Sequence, residues 1–173
     1  MYARNTKSVK VEPLMLESYL AFARGSAGSR IFRQYFAKVN GKKTDVTRAG
    51  LLSCAIHISG ILKMFSLIGE MQLTVHRTLD AMEKAGWHRT KNLRPGCVIV
   101  WAEENADPKR MKKDSKLYSS RVKHSGIYLG NHEAVSNVRA KRAPAVHHWT
   151  FGVKNGKPVR KIIATYWHKK LGK

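Results

Sequence analysis

Carboxylates are scarce in this sequence: 11 Asp and Glu stand against 33 Lys and Arg in 173 residues, a net charge of +22. After Glu133 there is no acidic residue at all, whereas Arg139, Lys141, Arg142, Lys154, Lys157, Arg160, Lys161, Lys169, Lys170 and Lys173 all follow it. A field of that sign draws polyanions, whether nucleic acid, anionic lipid or acidic cell-wall polymer. The basic C-terminal half is the candidate surface, and a solvated face that keeps a small protein soluble is the plain alternative. Cysteine is nearly absent too. With only Cys54 and Cys97 there is no disulfide framework and no four-Cys zinc site, and a reducing compartment fits best. Nowhere do about eighteen uncharged apolar residues run together, which argues against membrane insertion. Met1-Tyr2-Ala3-Arg4-Asn5-Thr6-Lys7 leads into no long apolar stretch. The expectation is a cytoplasmic chain without a standard secretion signal, release by another route remaining open.

A hydrophobic content of 43% in 173 residues supports one core and excludes wholesale disorder. Residues 1–12 are polar, basic and aperiodic, an N-terminal arm; 13–173 read as a single domain. From Pro13, apolar residues at three- and four-residue spacing predict a helix ending near Gly25. Residues 31–39 fit helix or strand, and Asn40-Gly41 is a hairpin turn signal. The apolar run after Ser53 predicts a helix from Cys54 to about Ile68, stopped by Gly69. Thr74 is placed to cap the next helix and Gly86 to end it.

The period then becomes that of strands. Cys97–Trp101 reads as a buried strand, 102–122 as a long charged loop, and 123–130 and 133–137 as strands around an Asn131-His132 turn. Residues 138–145 read as basic loop, 146–151 as a further strand and 159–167 as the last, after an Asn155-Gly156 turn. Helices first and an antiparallel meander second make the class α+β, N-terminal helices packed on a C-terminal antiparallel sheet.

The chemistry centres on Cys54. Ser53 as N-cap puts the thiol at the first helical position, where amides and the helix dipole favour thiolate. If that helix packs across the sheet, the thiolate can meet the imidazole of His124, and helix dipole and imidazolium together stabilise the ion pair. The imidazole needs a polar group to fix its tautomer: Asn137 or Ser136 on the next strand, or His147 or His148 one strand further. Adjacent strand residues face opposite ways, so at most one of the two histidines can serve. Trp101 and Tyr128 are candidates to line the cleft. The plain reading of Cys54 is a buried small hydrophobe, and that of the aromatics is core packing.

The helix-start cysteine, the segment Arg94-Pro95-Gly96-Cys97-Val98-Ile99-Val100-Trp101 and the His-x-Gly-Ile-Tyr-x-Gly pattern of His124 to Gly130 resemble the landmarks of NlpC-type papain-like cysteine peptidases. The resemblance spans roughly residues 45 to 140, and the His-x-Gly-Ile-Tyr-x-Gly element is its most specific part. It implies a papain-like core, Cys54 as nucleophile, His124 as general base, helix-start amides in an oxyanion hole, and amide bonds of bacterial cell-wall peptides as substrate. No cofactor or metal is required. The family's third position is often His; counting from His124 puts Ser136 there, with Asn137 adjacent. Because Asn orients the imidazole in papain-like enzymes, Asn137 is the first choice, with Ser136 and His147 in reserve. Ser53-Cys54-Ala55-Ile56 departs from the Asp-Cys-Ser-Gly that relatives often carry.

Two rivals stand beside this reading. A non-enzymatic nucleic-acid- or polyanion-binding protein would use the basic C-terminal half, with Trp149, Phe151, Tyr166 and Trp167 interleaved among cations; it could be an inactive descendant of the peptidase fold. His57, one helical turn from Cys54, could join Cys97 in a metal site, but two distant cysteines are a poor zinc signature. A core histidine bonded to a backbone acceptor is the simpler account of His57.

Overall fold

The computed structural model describes residues 9–102 and 122–172, so most of the charged loop expected at 102–122 and most of the N-terminal arm lie outside the described residues. Among the described residues the chain forms three helices and a six-stranded, wholly antiparallel sheet, an α+β architecture.

Helix α1 (Met15–Gly25) buries Tyr19 and Ala23, four residues apart on one stripe. The Asn40-Gly41 turn, with both residues at positive φ, joins β1 (Phe36–Val39) to β2 (Lys42–Asp45). Helix α2 (Cys54–Met64) is buried from Ala55 to Leu62 and is the central pillar. It stops four residues short of the expected Ile68. Ser66 turns left-handed (φ 52°), and Leu67 N–H reaches back to the Leu62 carbonyl, closing the helix end before Gly69. Helix α3 (Val75–Lys84) is capped as its sequence predicts, Thr74 Oγ1 accepting from the Arg77 amide at 3.2 Å.

The main sheet comprises β3 (Trp87–Arg89), β4 (Val98–Ala102), β5 (Val122–Gly130), β6 (Glu133–Val138), β7 (Ala143–His148) and β10 (Ile162–His168), in the order β3-β10-β4-β5-β6-β7. Only β4 to β7 form the expected meander; β10 inserts between β3 and β4. Strand β7 begins at Ala143, inside the segment read as basic loop, and ends at His148, so that 149–151 are turn and not strand. A small hairpin, β8 (Val153–Lys154) and β9 (Lys157–Pro158), is built on Asn155-Gly156.

Strand alternation divides the sheet into two faces. Val98, Val100, Ile127 and Val135 join the helices in the main core, and α2 lies across β5 and β6. The opposite face carries a smaller cluster of Ile99, Trp101 and Ala134, packed with Tyr128, Trp149, Phe151 and Ile162. Among the described residues no helix is long and apolar enough to cross a membrane.

Candidate active site

Register decides which side chains meet. Trp101 pairs with His124, Ile99 with Gly126, Tyr128 with Ala134, Ser136 with Ala145 and Ala134 with His147. Paired residues share a face, so His124, Ser136 and His147 all emerge beside Trp101 on the smaller-cluster face. Asn137, one residue on, points the other way, and its Nδ2 donates to the Gly50 carbonyl at 2.9 Å. The expected orienter therefore does not touch the imidazole. It pins the loop entering α2 to the end of β6, the same end of the β5–β6 pair at which His124 sits.

Ser136 is the residue on His124. Its Oγ lies 2.8 Å from His124 Nε2 and 2.7 Å from His147 Nε2, while His147 Nδ1 is 2.8 Å from the His148 carbonyl. With His147 neutral, as burial favours, these three contacts assign the protons. A carbonyl only accepts, so His147 carries its proton on Nδ1 and its Nε2 is the acceptor. The single hydroxyl proton of Ser136 goes to that Nε2, so Ser136 Oγ accepts from His124 Nε2–H. In neutral His124 the lone pair is then left on Nδ1, the atom a general base would use.

Neutral is the state its surroundings impose. Burial drives His124 down to about 3, with Arg160, His147 and His57 acting in the same direction. Burial also lowers His147, partly opposed by its bond to the His148 carbonyl.

The aromatic walls are tight. The Trp101 ring lies 5.4 Å from His124 and 5.9 Å from His147, its Nε1 donating to the Trp149 carbonyl at 2.8 Å. Gly126 makes this possible: a Cβ there would stand 2.7 Å from Trp101 Cη2 and 2.9 Å from Ser136 Cβ. Phe151 stacks on His147 at 4.0 Å and lies 5.6 Å from His124. It holds a left-handed backbone, φ 61°, unusual for an aromatic residue. His148 supports that conformation, its Nδ1 accepting from the amides of Thr150 and Gly152, both at 3.2 Å, while its carbonyl takes the Phe151 amide at 2.7 Å. The two adjacent histidines thus divide the work, His147 in the hydrogen-bonded chain and His148 in the turn that folds Phe151 over it. Tyr128, expected near the cleft, lies four residues along β5 from His124 and packs against Trp149 at 5.9 Å.

Cys54 opens α2 as the sequence predicts, half-buried and not disulfide-bonded. Ser53 occupies the N-cap position, but its buried hydroxyl makes no capping bond. The amides of Cys54 and Ala55 instead bear on the sulfur. Burial nevertheless raises the thiol above its ordinary value, and those amides and the Arg160 guanidinium offset this only in part. Expected as thiolate and imidazolium, the two groups are instead each favoured in the neutral form, thiol and imidazole, because desolvation penalises both charges. Cys54 packs against the main core, whereas His124 lies beside Trp101 on the other face of the sheet.

Arg160 and Phe151 had no role in the sequence reading of the catalytic site. Arg160 stands 4.9 Å over the Phe151 ring, its amide bonded to the Thr150 carbonyl, and its charge acts on Cys54, His124 and His147 alike. One arginine among 33 cations carries no local signal. His57 is fully buried, Nε2 against Ser26 Oγ at 2.8 Å; its partner is a hydroxyl and not the backbone group expected. Cys97 is wholly buried in the main core. Among the described residues no group of three His, Cys, Asp or Glu converges as a metal site would require. No protein-family model matches the chain, and no curated protein matches it.

Proposed function

We propose that the protein is a thiol hydrolase of papain-like, NlpC-type architecture that cleaves amide bonds, its substrate a peptide of bacterial cell wall. The observation that carries the chemistry is the chain from the His148 carbonyl through His147 and Ser136 to His124, which leaves Nδ1 of a neutral imidazole as proton acceptor. The substrate class rests on the resemblance of His124–Gly130 and of the helix-start cysteine to that family.

In the proposed reaction, which requires Cys54 Sγ within reach of His124 Nδ1, the sulfur attacks the amide carbon as its proton passes to that nitrogen. The tetrahedral oxyanion would be met by helix-start amides. His124 returns the proton to the departing amine, leaving a thioester. Water then attacks the thioester, giving its proton to His124, and the thiol is regenerated as the acid leaves. Ser136 and His147 act through His124 and hold its tautomer. Arg160 supplies a fixed positive charge that favours the thiolate as it forms.

The test is hydrolysis of cell-wall stem peptides, followed by amine release, with wild type and Cys54→Ala side by side. The reading requires turnover in the first and none in the second. Equal turnover in both, or none in either across the stem peptides, rejects it.

A further inference from the structure

On the other side of β7 from the β6 pairing, the chain encloses a cleft of about 520 Å³ with a charge pattern that the hydrolase reading does not use. Arg30 and Arg33, from the connection between α1 and β1, converge there with Lys141 and Arg142 of the β6–β7 turn. Pro144 and Val146 contribute to an apolar floor. Among the described residues no carboxylate lines the cleft and none of the four cations is ion-paired. Arg30, Lys141 and Arg142 are exposed; Arg33 is half-buried and tethered through Nε to the Ala49 carbonyl at 3.3 Å.

The cleft is held in shape from several sides. Gly28 N–H donates to the Pro144 carbonyl at 2.8 Å, closing one flank against β7. Arg142 has φ 50°, and its carbonyl lies so close to Gly50 that a Cβ there would stand 2.3 Å from it. The Arg142 wall of the cleft thus backs onto the loop that leads into α2.

Four cations converging on one concavity without an acid repel one another, and an anion relieves that repulsion. Three of them are arginines, whose planar forks suit phosphate oxygens in pairs. The volume is in the range of ligand pockets and well above a lone phosphate, and the apolar floor suits the uncharged links between phosphates. From this we infer that the cleft binds successive phosphates of a phosphodiester chain. The site gathers Arg30 and Arg33 from the N-terminal half, so it is not the general basicity of the C-terminal half.

The experiment measures fluorescence anisotropy of a labelled oligothymidylate with the full chain, over a salt series, competed separately by poly(glycerol phosphate) and by polyglutamate. Arg30→Gln/Lys141→Gln is compared with Lys154→Gln/Lys157→Gln, which removes the same charge from exposed positions on the β8–β9 hairpin. The cleft variant should weaken phosphodiester binding about tenfold or more and lower the slope of log K against log salt by about 1.4, roughly 0.7 per lost contact. The hairpin variant should stay near wild type, and polyglutamate should compete poorly per charge. Which phosphodiester binds more tightly tells nucleic acid from cell-wall polymer as the source. Equal losses in both variants, polyglutamate competing as well as the phosphodiesters, or no binding of either phosphodiester would overturn the inference. Thermal melts of both variants establish that each is folded.

Discussion

Lowering the pH from 7 to 5 should cost this protein a large part of its stability, and two histidines set the amount. His57 is fully buried, and its Nε2 faces Ser26 Oγ, whose own proton goes to the Ala23 carbonyl at 2.7 Å. His57 therefore donates from Nε2, and its Nδ1 is buried without a partner. Protonation would place a charge and a new N–H where nothing accepts it. Burial lowers His57 to about 3, and His124 to about the same value. Between about pH 3 and the ordinary 6.5 the unfolded chain binds a proton at each site and the folded chain does not. Stability therefore rises with pH across that window and is lost on acidification. Each site costs about 1.4 kcal/mol per pH unit below 6.5. From pH 7 to pH 5 that is about 2 kcal/mol per histidine and about 4 kcal/mol for the pair, against a total of roughly 5–15 kcal/mol for a domain. His147 and His168, both lowered chiefly by burial, act in the same direction. Urea unfolding at the two pH values measures the loss, and His57→Met isolates one site. The variant's drop between pH 7 and 5 should be smaller than wild type's by about 2 kcal/mol. An identical pH dependence in both proteins would refute the argument that His57 is held neutral.

Ser136→Ala removes the bridge between two buried imidazoles and leaves both Nε2 atoms without it; unfolding free energy should fall by about 1–3 kcal/mol. Stem-peptide turnover should fall with it, up to the roughly 10²- to 10⁴-fold a general base contributes, while Ala145→Ser on the paired position of β7 should not restore it. Gly126→Ala forces a methyl group against Trp101, the Val135 carbonyl and Ser136, and should cost about 1–3 kcal/mol in the same denaturation assay. Its tryptophan fluorescence should shift as Trp101 moves, and an unchanged spectrum would count against the packing described.

Much of this was legible because local pattern and tertiary demand agree. Asn40-Gly41 and Asn155-Gly156 make the turns their backbones favour, Thr74 caps α3, and the apolar run after Ser53 becomes the buried helix. What failed depended on register and long-range pairing. Strand β3 is three residues long with His88 and Arg89 exposed, so nothing in it announces that β10 will insert between it and β4. Strand β7 begins in Ala143-Pro144, which reads as loop until Gly28 covers its edge. Ser136 and Asn137 are adjacent polar residues on one strand, and the resemblance to papain-like enzymes favoured the amide. The pairing of Ile127 with Val135 turns the hydroxyl to His124 and sends the amide to Gly50. Cys54 does open α2 as its neighbour Ser53 suggested, but helix-start position alone overstated the thiolate, because burial raises the thiol.

The proposed mechanism turns on the proton arrangement at His124, and imidazole ¹⁵N NMR reads it directly. At pH 7 the His124 ring should be neutral, with the proton on Nε2 and Nδ1 bare, and Ser136→Ala should abolish that single-tautomer signature. A ring protonated on Nδ1, or an imidazolium at pH 7, would contradict the account.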